Sequence, residues 1–270
     1  MHLTTVKESK SIKAGNIIIN PLRGIDEPRV IINGVEAIPE NVVKYDARVD
    51  IKDPKTNKRC FLVEHVLGPL RLVGITNAEV LGSDKSWNFL RPEHRFAYSL
   101  GLGPDVVVGE EDGRQRPSLA SILDELESYI IEINCDVYKT VEQEVYFEAV
   151  DPFGYKGKIH LRPLKPNEGV ILNIRLFENA IDGLFISERG LKDGNLLKQI
   201  LTAQTPFLIG VHTKEALLHA IGDVISDIVG LGGLTDVEIN VDLNFFYHSL
   251  TVGAIKKSKF TKKVGVCVIE

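Results

Sequence analysis

Glu215, His219 and Asp223 fall at successive four-residue steps in the segment from Thr213 to Gly230, and that spacing decides what they could do. If the segment is a helix, 3.6 residues per turn stack the three side chains on one face. A carboxylate and an imidazole one turn apart can close on a single metal ion, as two histidines do in the metalloprotease helix motif. The same spacing also suits a polar face opposite Ala216, Leu217, Ala220 and Ile221. Two other segments carry groups of similar chemistry. Glu64-His65 follows the apolar run Cys60-Phe61-Leu62-Val63. Neighbours on a helix diverge by about 100 degrees, so one of the two could bind metal while the other faces a water; the glutamate could equally cap the helix. His248, within the aromatic strand or strand end Phe245-Phe246-Tyr247-His248-Ser249, reads either as an acid catalyst or as a packed core histidine.

These residues need a frame to bring them together. Asn16 to Pro21 is a short β-branched run, and Arg29 to Ile38 reads as strand, Asn-Gly turn and strand. Leu62, Val66, Leu67, Leu70 and Val73 recur at helical spacing, and Pro117 to Leu123 begins another amphipathic helix. Strand patterning returns from Tyr129 to Val137 and continues over Val145 to Val150, Lys158 to Pro163 and Gly169 to Leu176. Helical spacing follows from Asn195 to Leu201 and again from Thr213. Strands then helices, twice over, predict an α+β fold of two similar units, 1–128 and 129–270, rather than one alternating βαβ domain. The segments Asn16 to Arg23 and Lys158 to Lys165 share a strand, a proline and a base, then lead to another β-branched strand. Their positions favour a duplicated architecture.

Composition narrows the class. With 270 residues, 44% of them apolar and 26% charged, the sequence reads as a soluble globular chain long enough for two modest cores. A formal charge of -5 argues against a nucleic-acid partner, which needs a clear excess of Lys and Arg. The basic run Lys256, Lys257, Lys259, Lys262 and Lys263 reads as a solvated tail. Cys60, Cys135 and Cys267 are far apart and odd in number, so neither a disulfide framework nor a CxxC metal knuckle is expected, and a reducing cytoplasm fits. Met1 to Gly15 lacks the pattern of a secretory signal, and no apolar run is long enough for a membrane span. Gly230-Leu231-Gly232-Gly233 lacks the spacing of a dinucleotide-binding loop.

Taken in order, Val63-Glu64-His65, Gly74-Ile75-Thr76-Asn77, Thr205-Pro206-Phe207, Ala220-Ile221-Gly222-Asp223 and His248 resemble the zinc-dependent UDP-3-O-acyl-N-acetylglucosamine deacetylases of lipid A biosynthesis. The resemblance implies two α+β domains of similar topology with the active site between them. It also implies Glu64 as general base, His65 as first metal ligand, and Thr205 as a hydrogen-bond partner of the tetrahedral centre. In the helix that ends Ala-Ile-Gly-Asp, the family has a histidine eight residues and an aspartate four residues before the final aspartate. This chain has Glu215 and His219 there. The implied ligand set is therefore His65, Glu215 and His219, carboxylate and imidazole exchanged, holding zinc or iron. Asp223 would then stand behind the ligands and hold His248 as the imidazolium that stabilises the oxyanion and protonates the leaving amine.

Three departures bear on the substrate. Only Leu208 to Lys214 join Phe207 to Glu215, where the family inserts a passage for a fatty acyl chain. Ala216 stands for a lysine, and Phe245 for a basic residue three positions before the catalytic histidine. The expected activity is metal-dependent deacetylation of a small, N-acetylated, sugar-like compound without the long acyl chain. The competing class is a non-catalytic relative of the same fold acting as a binding or assembly module. Glu64, Asp223 and His248 occurring together favours the enzyme.

Overall fold

Alternation of apolar and polar residues at period two builds the sheets, and it is most regular in the strand Val237–Leu243. Val237, Ile239, Val241 and Leu243 are buried there, while Glu238, Asn240 and Asp242 lie on the opposite, half-exposed face. The computed structural model describes residues 11–14, 17–22, 28–82, 137–203 and 210–264. The expected helix from Pro117, the start of the expected strand at Tyr129, the boundary between 128 and 129, and Thr205 all lie outside the described residues.

In chain order the first strands are β1 (Ile12–Ala14), β2 (Ile17–Pro21), β3 (Arg29–Ile32) and β4 (Val35–Glu36). A small three-stranded sheet follows from β5 (Val42–Tyr45), β6 (Val49–Lys52) and β7 (Arg59–Cys60), and then helix α1 (Glu64–Leu72) and β8 (Asn77–Leu81). Next come β9 (Val137–Val141), β10 (Val145–Val150), β11 (Lys156–Pro163), β12 (Val170–Leu176) and β13 (Asn179–Ile186). Helices α2 (Gly194–Thr202) and α3 (Lys214–Val224) lead through a π-helical turn, Ile225–Gly230, to β14 (Val237–Leu243). Helix α4 (His248–Lys257) and β15 (Phe260–Val264) complete the described chain.

The architecture is α+β, and its two five-stranded sheets have one strand order. The first runs β1-β2-β8-β3-β4 and the second β10-β11-β14-β12-β13. In each, the strand that comes last in the chain enters the centre and pairs parallel with the third. Those pairs run from Arg29↔Asn77 to Ile32↔Val80 and from Val170↔Val237 to Leu176↔Leu243. The other pairs in both sheets are antiparallel. Parallel neighbours cannot be joined by a hairpin, so each centre strand needs a crossover, and the crossovers carry α1 and α3. The two similar segments in the sequence cover β2 and all but the first two residues of β11, the second strand of each sheet. Asn33 and Gly34, at φ of 49 and 81 degrees, form the positive-φ turn of the β3–β4 hairpin that an Asn-Gly pair favours.

Two local expectations change. His248 begins α4 rather than ending a strand. The basic run is not a tail: Lys256 and Lys257 close the last turn of α4, where cations suit the helix dipole, and Lys262 and Lys263 belong to β15, which pairs with β9. Lys256 also donates to the Val42 carbonyl at 2.9 Å. Among the described residues no helix is long and apolar enough to cross a membrane.

Helices α1 and α3 pack on one another, α3 also lies against β12 and β13 of the second sheet, and every residue of α1 is buried. They approach tightly at Gly68, where a Cβ would lie 2.5 Å from the carbonyl oxygen of Gly222. Only a residue without a side chain fits there. A second tie comes from Arg71, whose buried guanidinium donates to the Leu234 carbonyl at 2.6 Å, just beyond the π-helical turn. Burial pushes its pKa down to about 10, so it stays charged at neutral pH. Gly68→Ala should therefore force the helices apart, lowering stability by about 1–3 kcal/mol. Thermal unfolding checks this, and an unchanged midpoint would count against the tight crossing.

Candidate metal centre

The crossing of α1 and α3 sets the site. His65 precedes Gly68 by three residues, and His219 precedes Gly222 by three, so the helix contact brings both imidazoles to the same place. Their ring centroids are 5.6 Å apart, edge to face. Thr213 caps α3, accepting from the Ala216 amide at 3.0 Å, and the helix then carries Asp223 one turn beyond His219 on the same face.

One ligand atom from each of His65, His219 and Asp223 lies within 4.8 Å of the others, and all three residues are buried. His219 Nε2 is 3.2 Å from Asp223 Oδ2, and His65 Nε2 is 4.0 Å from Asp223 Oδ1. Donors on a tetrahedral zinc stand about 3.4 Å apart, so the spacing fits an ion of that kind. This group could hold a metal ion. The other ring nitrogen of His219 is 3.3 Å from the Ala203 carbonyl, a contact that turns Nε2 toward the site.

Around this triplet sit groups with opposed proton affinities. Glu64, adjacent to His65, is 2% exposed and accepts from the Val49 amide at 3.0 Å. Burial pushes its carboxyl up to about 8, with the charges of Asp223 and Asp227 adding to the rise. Burial also works against ionisation of Asp223, yet the imidazoles of His219, His248 and His65 hold its carboxyl well below the usual range. Tyr247 donates its hydroxyl to Asp223 Oδ2 at 2.7 Å.

His248 stands 3.6 Å from Asp223 Oδ2 through Nε2, and its Nδ1 is 2.7 Å from Asp227 Oδ2. Thr251 donates to the same Asp227 oxygen at 2.6 Å. Burial lowers the pKa of His248, but Asp227, Asp223 and Glu64 together raise it to about 10, which keeps the ring an imidazolium at neutral pH.

Of the residues singled out in the sequence, Glu64, His65, His219, Asp223 and His248 converge. Glu215 does not: it lies exposed in the first turn of α3, outside the group. The carboxylate within reach of both histidines is Asp223. The carboxylate on Nδ1 of His248 is Asp227, in the π-helical turn, which the sequence reading passed over. A signal for it existed. His219, Asp223 and Asp227 repeat the order histidine, aspartate, aspartate at four-residue steps that the resemblance calls for, one turn further along the helix than the Ala-Ile-Gly-Asp match suggests. A slip of four residues keeps every side chain on the same helix face, so periodicity alone cannot detect it.

A hollow of about 430 Å³ opens elsewhere, on the outer face of the second sheet, lined by residues that include Tyr146, His160, Asn173 and Asn240. Several of its polar groups are already bonded, Asn173 to Asn240 at 2.8 Å and His160 to Glu144, outside the lining, at 3.0 Å. The chemistry converges at the helix crossing instead. No protein-family model matches the chain, and no curated protein matches it.

The ligand set can be separated from its neighbour by metal titration. His219→Ala and Asp223→Asn should each weaken zinc binding by more than about a hundredfold, beyond the loss typical of residues behind the ligands. Glu215→Ala should bind zinc as the wild type does. Loss of binding in Glu215→Ala alone would restore the exchanged ligand set.

Proposed function

We propose that the chain is a zinc-dependent amidohydrolase that removes the acetyl group from an N-acetylated, sugar-like small molecule. The observation that carries this reading is the buried His65, His219 and Asp223 triplet with a glutamic acid on one side and an imidazolium on the other. On this reading the two sheets and their helices form two domains of like topology. The first supplies Glu64 and His65, and the second supplies His219, Asp223, Asp227 and His248.

His65, His219 and Asp223 would hold the ion, which in such a site supplies a Lewis acid for an amide carbonyl and lowers the pKa of a coordinated water. Glu64, whose pKa is pushed up to about 8, is in its ionised form a stronger base than an ordinary carboxylate, and that form takes a proton from the attacking water. His248 stays charged and faces the site through Nε2, so it donates to the oxygen that becomes anionic and then protonates the departing amine. Asp227 fixes that orientation by accepting from Nδ1, and Thr251 fixes Asp227. One carboxyl and one imidazole thus act as base and acid because their surroundings move their pKa values in useful directions.

The resemblance to the lipid A deacetylases supports the reaction type more than the substrate. Phe245 stands in place of a basic residue, and Ala220, which follows His219, is no more able to contact a phosphate than Ala216. The substrate is accordingly one without nucleotide or long acyl chain.

Acetate release from N-acetylated sugars, with and without a nucleotide or an acyl chain, tests the reading with zinc-loaded protein. Glu64→Gln should lower kcat by about a hundredfold to ten-thousandfold. The same variant should melt higher than wild type at pH 8 when both are metal-free. The folded pKa of Glu64, about 8, is raised from 4.5, so the neutral group's stabilisation is complete below pH 4.5 and is lost as pH rises through 8. Glutamine keeps the Val49 contact without that loss. Undiminished turnover in Glu64→Gln, or release that survives removal of the metal, would refute the mechanism.

A further inference from the structure

We infer that Tyr247 is a positioning residue of the candidate metal centre: its hydroxyl fixes the Asp223 carboxylate in the orientation that takes the ion and keeps that carboxylate from turning to His248. The inference rests on the reading of His65, His219 and Asp223 as metal ligands and is independent of the substrate.

The carboxylate needs such a hold. The terminal torsion of an aspartate is broad, so the packing of α3 fixes where the Asp223 side chain starts but not how its two oxygens point. Three imidazoles compete for them. His219 Nε2 stands 3.2 Å and His248 Nε2 3.6 Å from Oδ2, while His65 Nε2 stands 4.0 Å from Oδ1. Shorter than all three is the bond from the buried Tyr247 hydroxyl to Oδ2, at 2.7 Å.

The donor is itself held in place. Tyr247 stands immediately before α4, and its carbonyl accepts from the amides of Leu250 and Thr251 at 3.0 and 2.9 Å. Thr251, four residues on, donates to Asp227, which lies four residues beyond Asp223. Two hydroxyls one turn apart thus meet two carboxylates one turn apart, as rungs of 2.7 and 2.6 Å between the start of α4 and the end of the α3 segment. His248 reaches both carboxylates, one with each ring nitrogen. The Thr251 rung secures the carboxylate that orients His248, and the Tyr247 rung secures the one that faces the ion.

The kind of donor matters. Burial and the Asp223 carboxylate push the Tyr247 pKa well above that of an ordinary tyrosine, so the group donates as a neutral hydroxyl. A neutral donor leaves Asp223 its full negative charge for a metal. An imidazolium closing on Oδ2 would offset that charge, and would aim its Nε2 at the protein instead of a substrate.

Zinc titration of metal-free protein tests this. Tyr247→Phe keeps the ring and removes only the hydroxyl, and it should weaken zinc binding by about tenfold to a hundredfold. Tyr146→Phe, which removes an exposed hydroxyl bonded to Glu144 at 3.0 Å, should bind as the wild type does. In an Asp223→Ala background no carboxylate is left to position, so adding Tyr247→Phe should change the residual affinity by less than about twofold. With cobalt(II) in place of zinc, the visible spectrum of Tyr247→Phe should differ from that of the wild type, because it follows the arrangement of the ligands. Should Tyr247→Phe fail to fold, the wild type decides: with tyrosine labelled at Cζ, the Tyr247 resonance should shift when zinc is added. Unchanged zinc affinity or an unchanged cobalt spectrum in Tyr247→Phe, an equal loss in the Asp223→Ala background, or a Tyr247 resonance that saturating zinc leaves in place would overturn the inference while keeping the metal centre. Wild-type protein that takes up no zinc would sink the metal centre and the inference with it.

Discussion

The contact between Gly68 and the Gly222 backbone governs the rest of the structure. Two helices from distant parts of the chain approach so closely that no side chain fits between them. Each helix carries a histidine three residues before its glycine, so the crossing that fills the core also fixes the distance between His65 and His219. Packing and chemistry thus share one geometric condition. Anything that widens the crossing moves both imidazoles, whatever it does to the sheets.

Charge is arranged around that crossing by burial. Water is kept from Glu64, Asp223, Asp227 and His248, so each responds mainly to its neighbours, and interactions that would be weak at the surface become decisive. The arrangement is asymmetric. Asp223 faces three imidazoles and is strongly ionised, whereas Glu64, cut off from water, bonded to the Val49 amide and near the charges of Asp223 and Asp227, resists ionisation. Two carboxyl groups near one another therefore have different characters without any difference in their own chemistry.

Much of this was legible in the residues, for identifiable reasons. Strands with period-two patterning, such as Val145–Val150 and Val170–Leu176, and the Asn33-Gly34 turn lie where their local physics puts them. The duplication could be glimpsed in the likeness between β2 and β11 because the same place in the same strand order imposes similar demands. The site was harder. Glu215 and Asp223 lie on one helix face, and only tertiary packing, which leaves Lys214 and Glu215 at the start of α3 in solvent and buries Asp223, separates them. Asp227 was missed because its partner, His248, lies 21 residues further on, across the strand β14.

The strand order has a consequence for how the chain reaches this state. In each sheet the central position is taken by the strand that comes last in the sequence, after the crossover that holds the helix of the site. The first four strands can pair only as two separate hairpins, β1–β2 and β3–β4 or β10–β11 and β12–β13, with a gap between them. Neither sheet is continuous until its helix has been laid down and the last strand has slotted in. Closing such non-local pairs is the slow, entropically costly part of folding. The helices that bear the histidines are therefore bound into the step that completes each sheet, and a chain that finishes its sheets has already delivered both imidazoles to their crossing.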